Sequence, residues 1–436
     1  MHRGSRFVSA VLLCGGAVSV HAQSVPVVDL PAASAKSAET FGAIINVREL
    51  PQGKVLVSDG KNYVVKLLSA TLATERVVLD SAKEAANTYG NFPLPVIAYT
   101  GDSTLFVSPR GVLLIDPGGN VTRVIALPQP NFWAQLRRAV YADDKGRLAF
   151  MAASPVTRLP AAGVVPIVSD SAPVLRVDFA ARTTDTVAWV ARPYTRVDTW
   201  NPRVSGELTF WLPNPLQAVD DWTVLSDGSI AMVRGHDYRV DWLRSNGTKE
   251  SSPKLPFDWK QMTDADKVSL IDSVQAQWVN AARANSLLIG LEHSPTPWPR
   301  AALSGSTDPA APTHPSFDTT KAVPTLILNN ARVLARLPDR PRPDDVYDYY
   351  APIRTGGALA DLDNRLWILP TLSKQSKAGE LVYDVVSSQG KMLERVRVPL
   401  GRYVVGFGRG GAVYMAVGSL SGGGFTLEVT RLPMGK

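Results

Sequence analysis

The sequence predicts an all-β fold, a β-propeller of six blades with a helical or irregular insertion between blades 4 and 5. A unit of alternating strands and turns containing Gly, Asp or Asn recurs along the 436-residue chain. The 33 Gly and 33 Pro are spread along the chain, which suits many short strands joined by turns. Units of four antiparallel strands are typical of propeller blades, and an open β-sandwich or two stacked sheets is the alternative.

The first copy of the unit shows the pattern most clearly. Period-two alternation marks its strands at residues 45–50, 54–58, 63–68 and 76–79. Five further copies follow, with their first recognisable strand or turn near residues 96, 143, 222, 361 and 403. The last copy has only three strands. Residues 25–30 are expected to supply its outer strand, which would close the ring and leave no open sheet edge.

Short blade motifs add a family resemblance. The phrase at residues 49–59, ELPQGKVLVSD, and the phrase at 363–368, DNRLWI, resemble blade motifs of bacterial six-bladed propellers of the NHL/TolB-like group. Residues 398–401 and 405–408 resemble the final blade of that group. The resemblance covers most of the mature chain. It implies a propeller that acts as a binding scaffold or sensor or, in some branches, as a metal-dependent hydrolase of the lactonase kind.

The N-terminus has the pattern of a secretory leader. Arg3 and Arg6 precede an apolar stretch, and a small-residue signal ends at Ala22, so the mature domain is expected to span residues 23–436. Periplasmic or extracellular localisation follows. The single cysteine, Cys14, lies in the leader and leaves lipid anchoring there as a second possibility. No later segment reaches the length of a transmembrane helix.

The charge pattern argues against a nucleic-acid partner. The formal net charge is +7, and the basic residues are scattered rather than clustered. Nucleic-acid binding needs a basic patch on one face. We therefore read the charge as ordinary protein surface.

The regular unit is interrupted at about residues 258–355. The first part of this insertion is predicted to be a helix, with Thr263 as its N-cap and Asp266 in its first turn. Residues 294–318 are rich in Pro, Ser and Thr, a composition typical of partly disordered segments. The helix either lies across one mouth of the ring as a lid or packs on the rim, and the rim is favoured.

No metal motif is present, and no cofactor is predicted. The mature chain has three histidines, His236, His293 and His314, without zinc-site spacing. Calcium remains possible, because aspartates recur near turns that we take to be equivalent, and carboxylates from several blades can gather around one ion. Turn-forming aspartate is the favoured explanation for them. These residues are Asp59, Asp102, Asp144, Asp227 and Asp363.

Catalytic residues cannot be assigned, because the G-x-S-x-G elbow of hydrolases is absent. The favoured function is an exported, non-catalytic binding or scaffold protein with its ligand at one mouth of the ring. The ligand is an unknown small molecule, glycan or protein. The alternative is a divalent-metal-dependent hydrolase that uses channel carboxylates. The predicted ligand-binding residues are Asp59, Arg110, Trp133, Trp211, His236 and Asp237.

Aromatic residues in the connections between copies are further candidates. Tyr347, Tyr349 and Tyr350 precede the fifth copy. The tryptophans in or near the connections are Trp133, Trp200, Trp211, Trp222, Trp259, Trp278 and Trp298. Rings clustered at a propeller mouth can stack on a sugar or hold a peptide, whereas rings between blades only fill the core. Packing between the blades is the favoured role for these residues.

Overall fold

A computed structural model describes the chain from residue 25 to residue 433. The segments outside the described residues within that span are 82–87, 110, 127–140, 144–145, 153–155, 159–169, 180, 202–205, 215, 284–321, 329–330, 337–339, 372–379 and 420–422. In the described residues, no helix combines the length and apolar character needed to cross a membrane. The leader, its cleavage near Ala22 and the choice between cleavage and lipid anchoring therefore stay predictions.

Six sheets form the body of the protein, and the main strands of each are antiparallel and come from one stretch of the chain. Two short strands, β1 (Val27–Asp29) and β2 (Ala35–Lys36), precede them. Blade 1 contains β3 (Ile44–Glu49), β4 (Val55–Asp59), β5 (Val64–Leu68) and β6 (Thr74–Leu79). Blade 2 contains β7 (Val96–Ala98), β8 (Thr104–Ser108), β9 (Gly111–Ile115) and β10 (Val121–Ile125).

The remaining elements are given in chain order. Blade 3 contains β11 (Tyr141–Ala142), β12 (Leu148–Met151), β14 (Ser171–Asp178) and β15 (Thr183–Ala191), and β13 (Val156–Arg158) lies within its sequence. Next come β16 (Tyr194–Asn201) and β17 (Gly206–Pro213). Blade 4 contains β18 (Asp221–Val224), β19 (Ile230–Arg234), β20 (Arg239–Leu243) and β21 (Lys249–Ser251).

The last third of the chain contains the helix and the two closing blades. Helix α1 (Asp264–Arg283) is followed by β22 (Ala322–Leu328) and β23 (Ala331–Arg336). Blade 5 contains β24 (Ile353–Ala360), β25 (Leu366–Pro370), β26 (Leu381–Val386) and β27 (Met392–Val398). Blade 6 contains β28 (Arg402–Phe407), β29 (Ala412–Ser419) and β30 (Gly424–Arg431). Short 3-10 turns occur at Pro51–Gly53, Thr100–Asp102 and Pro343–Asp345.

Apolar side chains pack between every pair of successive blades and show that the ring is closed. Six separate clusters join blade 1 to 2, 2 to 3, 3 to 4, 4 to 5, 5 to 6 and 6 back to 1. Large side chains fill these wedges, as expected when flat sheets pack face to face. Phe106, Phe150, Trp242 and Trp367 are among them and are almost fully buried. The protein is a six-bladed β-propeller, as the repeat predicts.

The ring is closed by a different N-terminal segment from the one predicted. Residues 25–30 do not complete blade 6, because β1 pairs in parallel with β27 on the outer edge of blade 5. It is β2 that pairs with β30 and supplies the fourth strand of blade 6. The backbone of Phe41 also forms a bridge with Phe425. The prediction of an N-terminal closing strand holds, but the chain passes blade 5 before it reaches that position.

A seventh sheet lies outside the ring, and we call it the annex sheet. Its strand order is β13-β17-β16-β23-β22, so three separate connections contribute to it. One part comes from within blade 3, one from between blades 3 and 4, and one from the insertion after blade 4. Besides the helix, the insertion contains the hairpin of β22 and β23, which the sequence did not indicate. Residues 294–318 lie outside the described residues.

All three connections leave the ring at the same end. In a four-stranded antiparallel sheet, the turn between the second and third strands lies at the end where the chain enters the first strand and leaves the fourth. The connection that contains β13 joins the second and third strands of blade 3, and the other two connections join the fourth strand of one blade to the first strand of the next. We call this the entry end of the propeller. The turn between β19 and β20 lies there too.

Candidate functional site

The turn between β19 and β20 is held against the loop that leads into the innermost strand of blade 4. Gly235 N donates to Asp220 Oδ1 at 3.1 Å, and Arg234 Nη1 donates to Asp220 Oδ2 at 2.6 Å. A Cβ on Gly235 would lie 2.0 Å from the Val219 carbonyl oxygen, so only glycine allows this approach. The turn therefore has a fixed position beside the channel-side loop.

Alternating charges continue from this loop toward the outside of the blade. Arg234 Nε also donates to Asp241, at 2.6 Å, and Asp241 accepts from Arg239 at 3.1 Å. Arg239 in turn donates to Asp237 at 2.5 Å. Burial of Arg234 opposes its charge, but its hydrogen bonds to Asp241 and Asp220 prevail and raise its pKa. The hydrogen bond from Lys254, with smaller effects of the neighbouring charges, lowers the pKa of Asp237.

Four ring contacts and two short sequence links connect six side chains at this end, and we call this group the aromatic circuit. Its members, in order of contact, are His236, Tyr347, Tyr349, Trp259, Phe257 and Tyr238. The ring centroids are 6.0 Å apart for His236 and Tyr347, and 6.2 Å apart for Trp259 and Tyr349. Tyr347 and Tyr349 are separated by one residue, as are His236 and Tyr238, so the chain itself closes the series.

Four of the six members of the aromatic circuit face solvent. The side chain of His236 is 74% exposed. Trp259 is 41% exposed, Tyr347 48% and Tyr349 45%. Tyr238 is fully buried and donates its hydroxyl to Asp384 of blade 5, which secures the inner part of the circuit. An exposed group of aromatic side chains supported by a buried one is a common construction of ligand-binding surfaces.

Helix α1 holds the two tyrosines of the insertion in place. Thr263 and Asp266 cap its N-terminus reciprocally, since each donates a backbone N–H to the other's side chain. A small apolar core joins the helix to the segment before blade 5; its buried members are Leu216, Met262, Ile271, Val274 and Val346. Met262 N donates to the Asp348 carbonyl at 2.7 Å, between the two tyrosines. The predicted helix and its N-cap are confirmed.

A buried carboxyl lies next to this site at the start of the innermost strand. Asp221 is the first residue of β18, and its Oδ2 accepts from Ala358 N of β24 at 2.8 Å. Burial raises the pKa of Asp221 to about 6, although backbone N–H groups and Arg192 favour its charged form. The pairing of β24 with β25 is interrupted at residues 354–357, directly opposite this carboxyl. Asp221 therefore holds an irregular stretch of β24 against blade 4.

The predicted ligand-binding residues fall in different parts of the protein. His236 and Asp237 are adjacent in the turn of blade 4, and their side chains approach to 3.6 Å. Asp59 is buried in blade 1, where its carboxylate accepts backbone N–H groups. Trp211 belongs to β17 of the annex sheet, and Arg110 and Trp133 lie outside the described residues. Ligand binding by these residues remains a prediction.

Sequence reasoning did not identify Phe257, Tyr238 or Asp221 as parts of a site. Nothing local marks Asp221, since its partner Ala358 is far away in the sequence. From the sequence, Trp259, Tyr347 and Tyr349 are among the candidates, but packing between the blades is the role favoured for them. The link between His236 and Tyr347 depends on how blade 4 and the insertion come together.

The recurring aspartates that the structure describes lie at opposite ends of the propeller, and Asp144 lies outside the described residues. Asp59 lies at the entry end, in a turn between second and third strands, whereas Asp102, Asp227 and Asp363 lie in turns between first and second strands at the opposite end. The expectation that these turns are equivalent was therefore wrong for Asp59. Within the described part of the chain, no group of three or more His, Cys, Asp or Glu residues is arranged to hold a metal ion.

Comparison with known proteins yields likeness in structure only. No family model matches the chain. No curated protein matches it in sequence either. An exported-type protein of Bacteroides fragilis is 8% identical, with 93% of this chain and 99% of that one covered and a TM-score of 0.41. A DUF4221 family member of Bacteroides vulgatus is 8% identical, with coverages of 92% and 96% and a TM-score of 0.37. A streptogramin B lyase is 11% identical, with coverages of 92% and 86% and a TM-score of 0.34.

Proposed function

We propose that this protein is an exported, non-catalytic binding protein of the NHL/TolB-like kind, whose ligand occupies the aromatic circuit at the entry end of the propeller. The four exposed rings of the aromatic circuit are the observation that carries the proposal. Rings that would be expected to fill the core instead face solvent there. Such rings present a large contact area with few rotatable bonds, so little conformational entropy is lost when a ligand is bound.

The surroundings of the circuit support binding rather than chemistry. In the described part of the chain, His236 lies beside Asp237 and Tyr347, and Asp237 is itself held by Arg239 and Lys254. A catalytic base is oriented by a partner within hydrogen-bond reach, and 3.6 Å is longer than that. Asp221, the carboxyl with a raised pKa, is buried and occupied by backbone N–H groups.

A thermal-shift and calorimetric screen of the chain from residue 23 tests the proposal. The library contains sugars, peptides and envelope components, and it is applied to the wild type, Trp259→Ala and Trp189→Ala. Trp189 is the matched control because it is also exposed but lies on β15 of blade 3. We expect a ligand that binds the wild type and Trp189→Ala and is lost in Trp259→Ala. Efficient turnover of any library member, or binding that ignores Trp259, would contradict the proposal.

Export is tested separately. Expression of the full chain is expected to yield periplasmic or secreted protein that begins near Gln23, as read by mass spectrometry of its N-terminus. A lipid-modified Cys14 at the N-terminus would instead support anchoring. Retention of residues 1–22 in the cytoplasm would refute the export part of the proposal and leave the binding part open to its own test.

A further inference from the structure

Two carboxylates beside the aromatic circuit, those of Asp237 and Asp348, are already paired with basic side chains, and the ammonium of Lys260 lies 5.1 Å from the centroid of the Tyr350 ring. Asp237 accepts from Arg239 and lies 3.0 Å from Lys254 Nζ. Asp348, between the two exposed tyrosines, pairs with Lys267 at 2.7 Å. A charged ligand would have to compete with these pairs, whereas an uncharged ligand leaves them intact.

The exposed members of the circuit offer ring faces together with hydrogen-bonding groups. Its exposed members are an indole, two phenols and an imidazole, each with a polar tip. Apolar peptide side chains prefer pockets lined by aliphatic and aromatic groups together, with a few fixed polar groups. A sugar ring presents a flat C–H face for stacking and hydroxyl groups at its edge, which matches rings with polar tips.

The geometry of the rings leaves two places for stacking. Trp259 meets Tyr349 at an interplanar angle of 85°, and His236 meets Tyr347 at 76°. In a perpendicular pair, the face of one ring is covered by the edge of the other, so each pair retains ring surface that its partner does not cover. The two pairs are joined through residues 347–349, so one extended ligand can contact both.

We propose that the ligand of the aromatic circuit is a neutral oligosaccharide of at least two units, with one unit stacked at Trp259 and Tyr349 and another at His236 and Tyr347. This inference rests on the proposed binding function and specifies its ligand class. The paired charges favour a neutral oligosaccharide. The presence of two ring pairs sets its minimum length at two sugar units.

Isothermal calorimetry with neutral oligosaccharides of one to six units tests the proposal directly. The series includes cello-, malto-, xylo- and N-acetylglucosamine oligomers, with apolar and charged peptides as the comparison class. We expect affinity for one series to rise from one unit to two or three and then level off. Trp259→Ala and Tyr347→Ala are each expected to weaken binding about tenfold. Trp189→Ala and Tyr403→Ala, exposed aromatics on blades 3 and 6, are expected to bind like the wild type.

Two additional measurements separate a lost contact from a lost fold. Trp259→Phe keeps a ring and is expected to retain part of the affinity, with an unchanged circular dichroism spectrum. Binding of a neutral sugar is expected to be insensitive to salt between about 50 and 500 mM, whereas a charged ligand would be screened.

The possible outcomes distinguish the ligand class from the binding function. If a peptide binds and Trp259→Ala abolishes its binding, the oligosaccharide is ruled out and the binding function stands. If binding is confined to an anionic sugar and falls steeply with salt, neutrality is wrong. If no sugar or peptide depends on Trp259 or Tyr347, both the ligand class and the proposed function are overturned.

Discussion

Two turns occupy the same position in blades 1 and 4, between the second and third strands, and differ in what their side chains are used for. Residues 59–63 read DGKNY and residues 234–238 read RGHDY. Each has glycine in second place and a tyrosine with positive φ in fifth place, 53° at Tyr63 and 48° at Tyr238. The two turns therefore share a glycine and a left-handed tyrosine, and they differ in the side chains of their other three positions.

The first residue shows a reversal of polarity. In blade 1, Asp59 accepts from Gly42 N at 2.7 Å and Ala43 N at 2.9 Å, in the loop that leads into β3. In blade 4, Arg234 donates to Asp220, in the loop that leads into β18. Turn and loop are joined in both blades, but donor and acceptor have changed sides. The turn can supply either the acceptor, as Asp59 does, or the donor, as Arg234 does. The two blades therefore share the contact between turn and loop but not the residue types that make it.

The reversal determines which side chains remain available for a ligand. In blade 1 the Asp59 carboxylate is buried, and it also accepts from the amide of Asn62 at 2.7 Å. In blade 4 the anchoring is done by Arg234 and Asp220, so His236 and Asp237 are left at the surface beside the insertion. Both turns expose their third residue, Lys61 in blade 1 and His236 in blade 4. They differ in that Asn62 of blade 1 is bonded back to Asp59, whereas His236 contributes its ring to the aromatic circuit.

The largest effect is expected at the glycine in second place. A Cβ at Gly235 would collide with the Val219 carbonyl at 2.0 Å, whereas one at Gly60 would meet the side chain of Ile45 at 2.5 Å. Backbone cannot move aside as a side chain can. Gly235→Ala is therefore expected to lower the free energy of unfolding by roughly 3 kcal/mol or more, and Gly60→Ala by about half as much. Urea denaturation measures both, and equal losses would show that the two turns are equally tight.

The first residue of the innermost strand extends the comparison to pH. This residue is Ile44 in blade 1 and Asp221 in blade 4. Burial raises the pKa of Asp221 from 3.8 to about 6. The protonated carboxyl therefore contributes fully to the free energy of unfolding below pH 3.8, and this contribution is lost as the pH rises through about 6. Relative to Asp221→Asn, the wild type is expected to lose up to about 3 kcal/mol of stability between roughly pH 4 and pH 7.5.

Paired denaturation curves of the wild type and Asp221→Asn across that range measure this loss. Asp237→Asn is the control, because the pKa of Asp237 is lowered and its titration falls below this range. A constant difference between the wild type and Asp221→Asn at every pH would mean that Asp221 titrates normally.

The two turn aspartates are expected to differ when each is removed. Asp59→Ala leaves the N–H groups of Gly42 and Ala43 without their acceptor and is expected to cost about 2 kcal/mol. Asp237→Ala removes contacts with exposed charged side chains and is expected to leave the melting temperature unchanged. Differential scanning calorimetry measures both. A destabilisation by Asp237→Ala as large as that by Asp59→Ala would show that the blade 4 turn is structural as well.

Local signals predicted the blades, and long-range pairing explains what they missed. Alternation and turn residues located the strands of blade 1 within a few residues, and Thr263 marked the start of α1. The choice between 25–30 and 35–36 as closing strand depends on contacts with β27 and β30, at the other end of the chain. The annex sheet is still less local, because its strands come from three connections and the pairing of β16 with β23 decides its order.

The smallest effect is expected from the ion pair between Arg234 and Asp220, which takes the place in blade 4 of the Asp59 contacts in blade 1. A double-mutant cycle with Asp220→Asn and Arg234→Gln isolates the contact between these two side chains. Arg234 is partly exposed and keeps Asp241 as a second partner, so the coupling is expected to be about 1 kcal/mol rather than the value of an isolated buried pair. Asp241→Asn with Arg234→Gln is the matched cycle on the other side of the same guanidinium. Coupling in the cycle with Asp241 but not in the cycle with Asp220 would contradict this expectation. It would mean that the close approach of Gly235 alone holds the turn, and that the ion pair between Arg234 and Asp220 adds nothing to the free energy of unfolding.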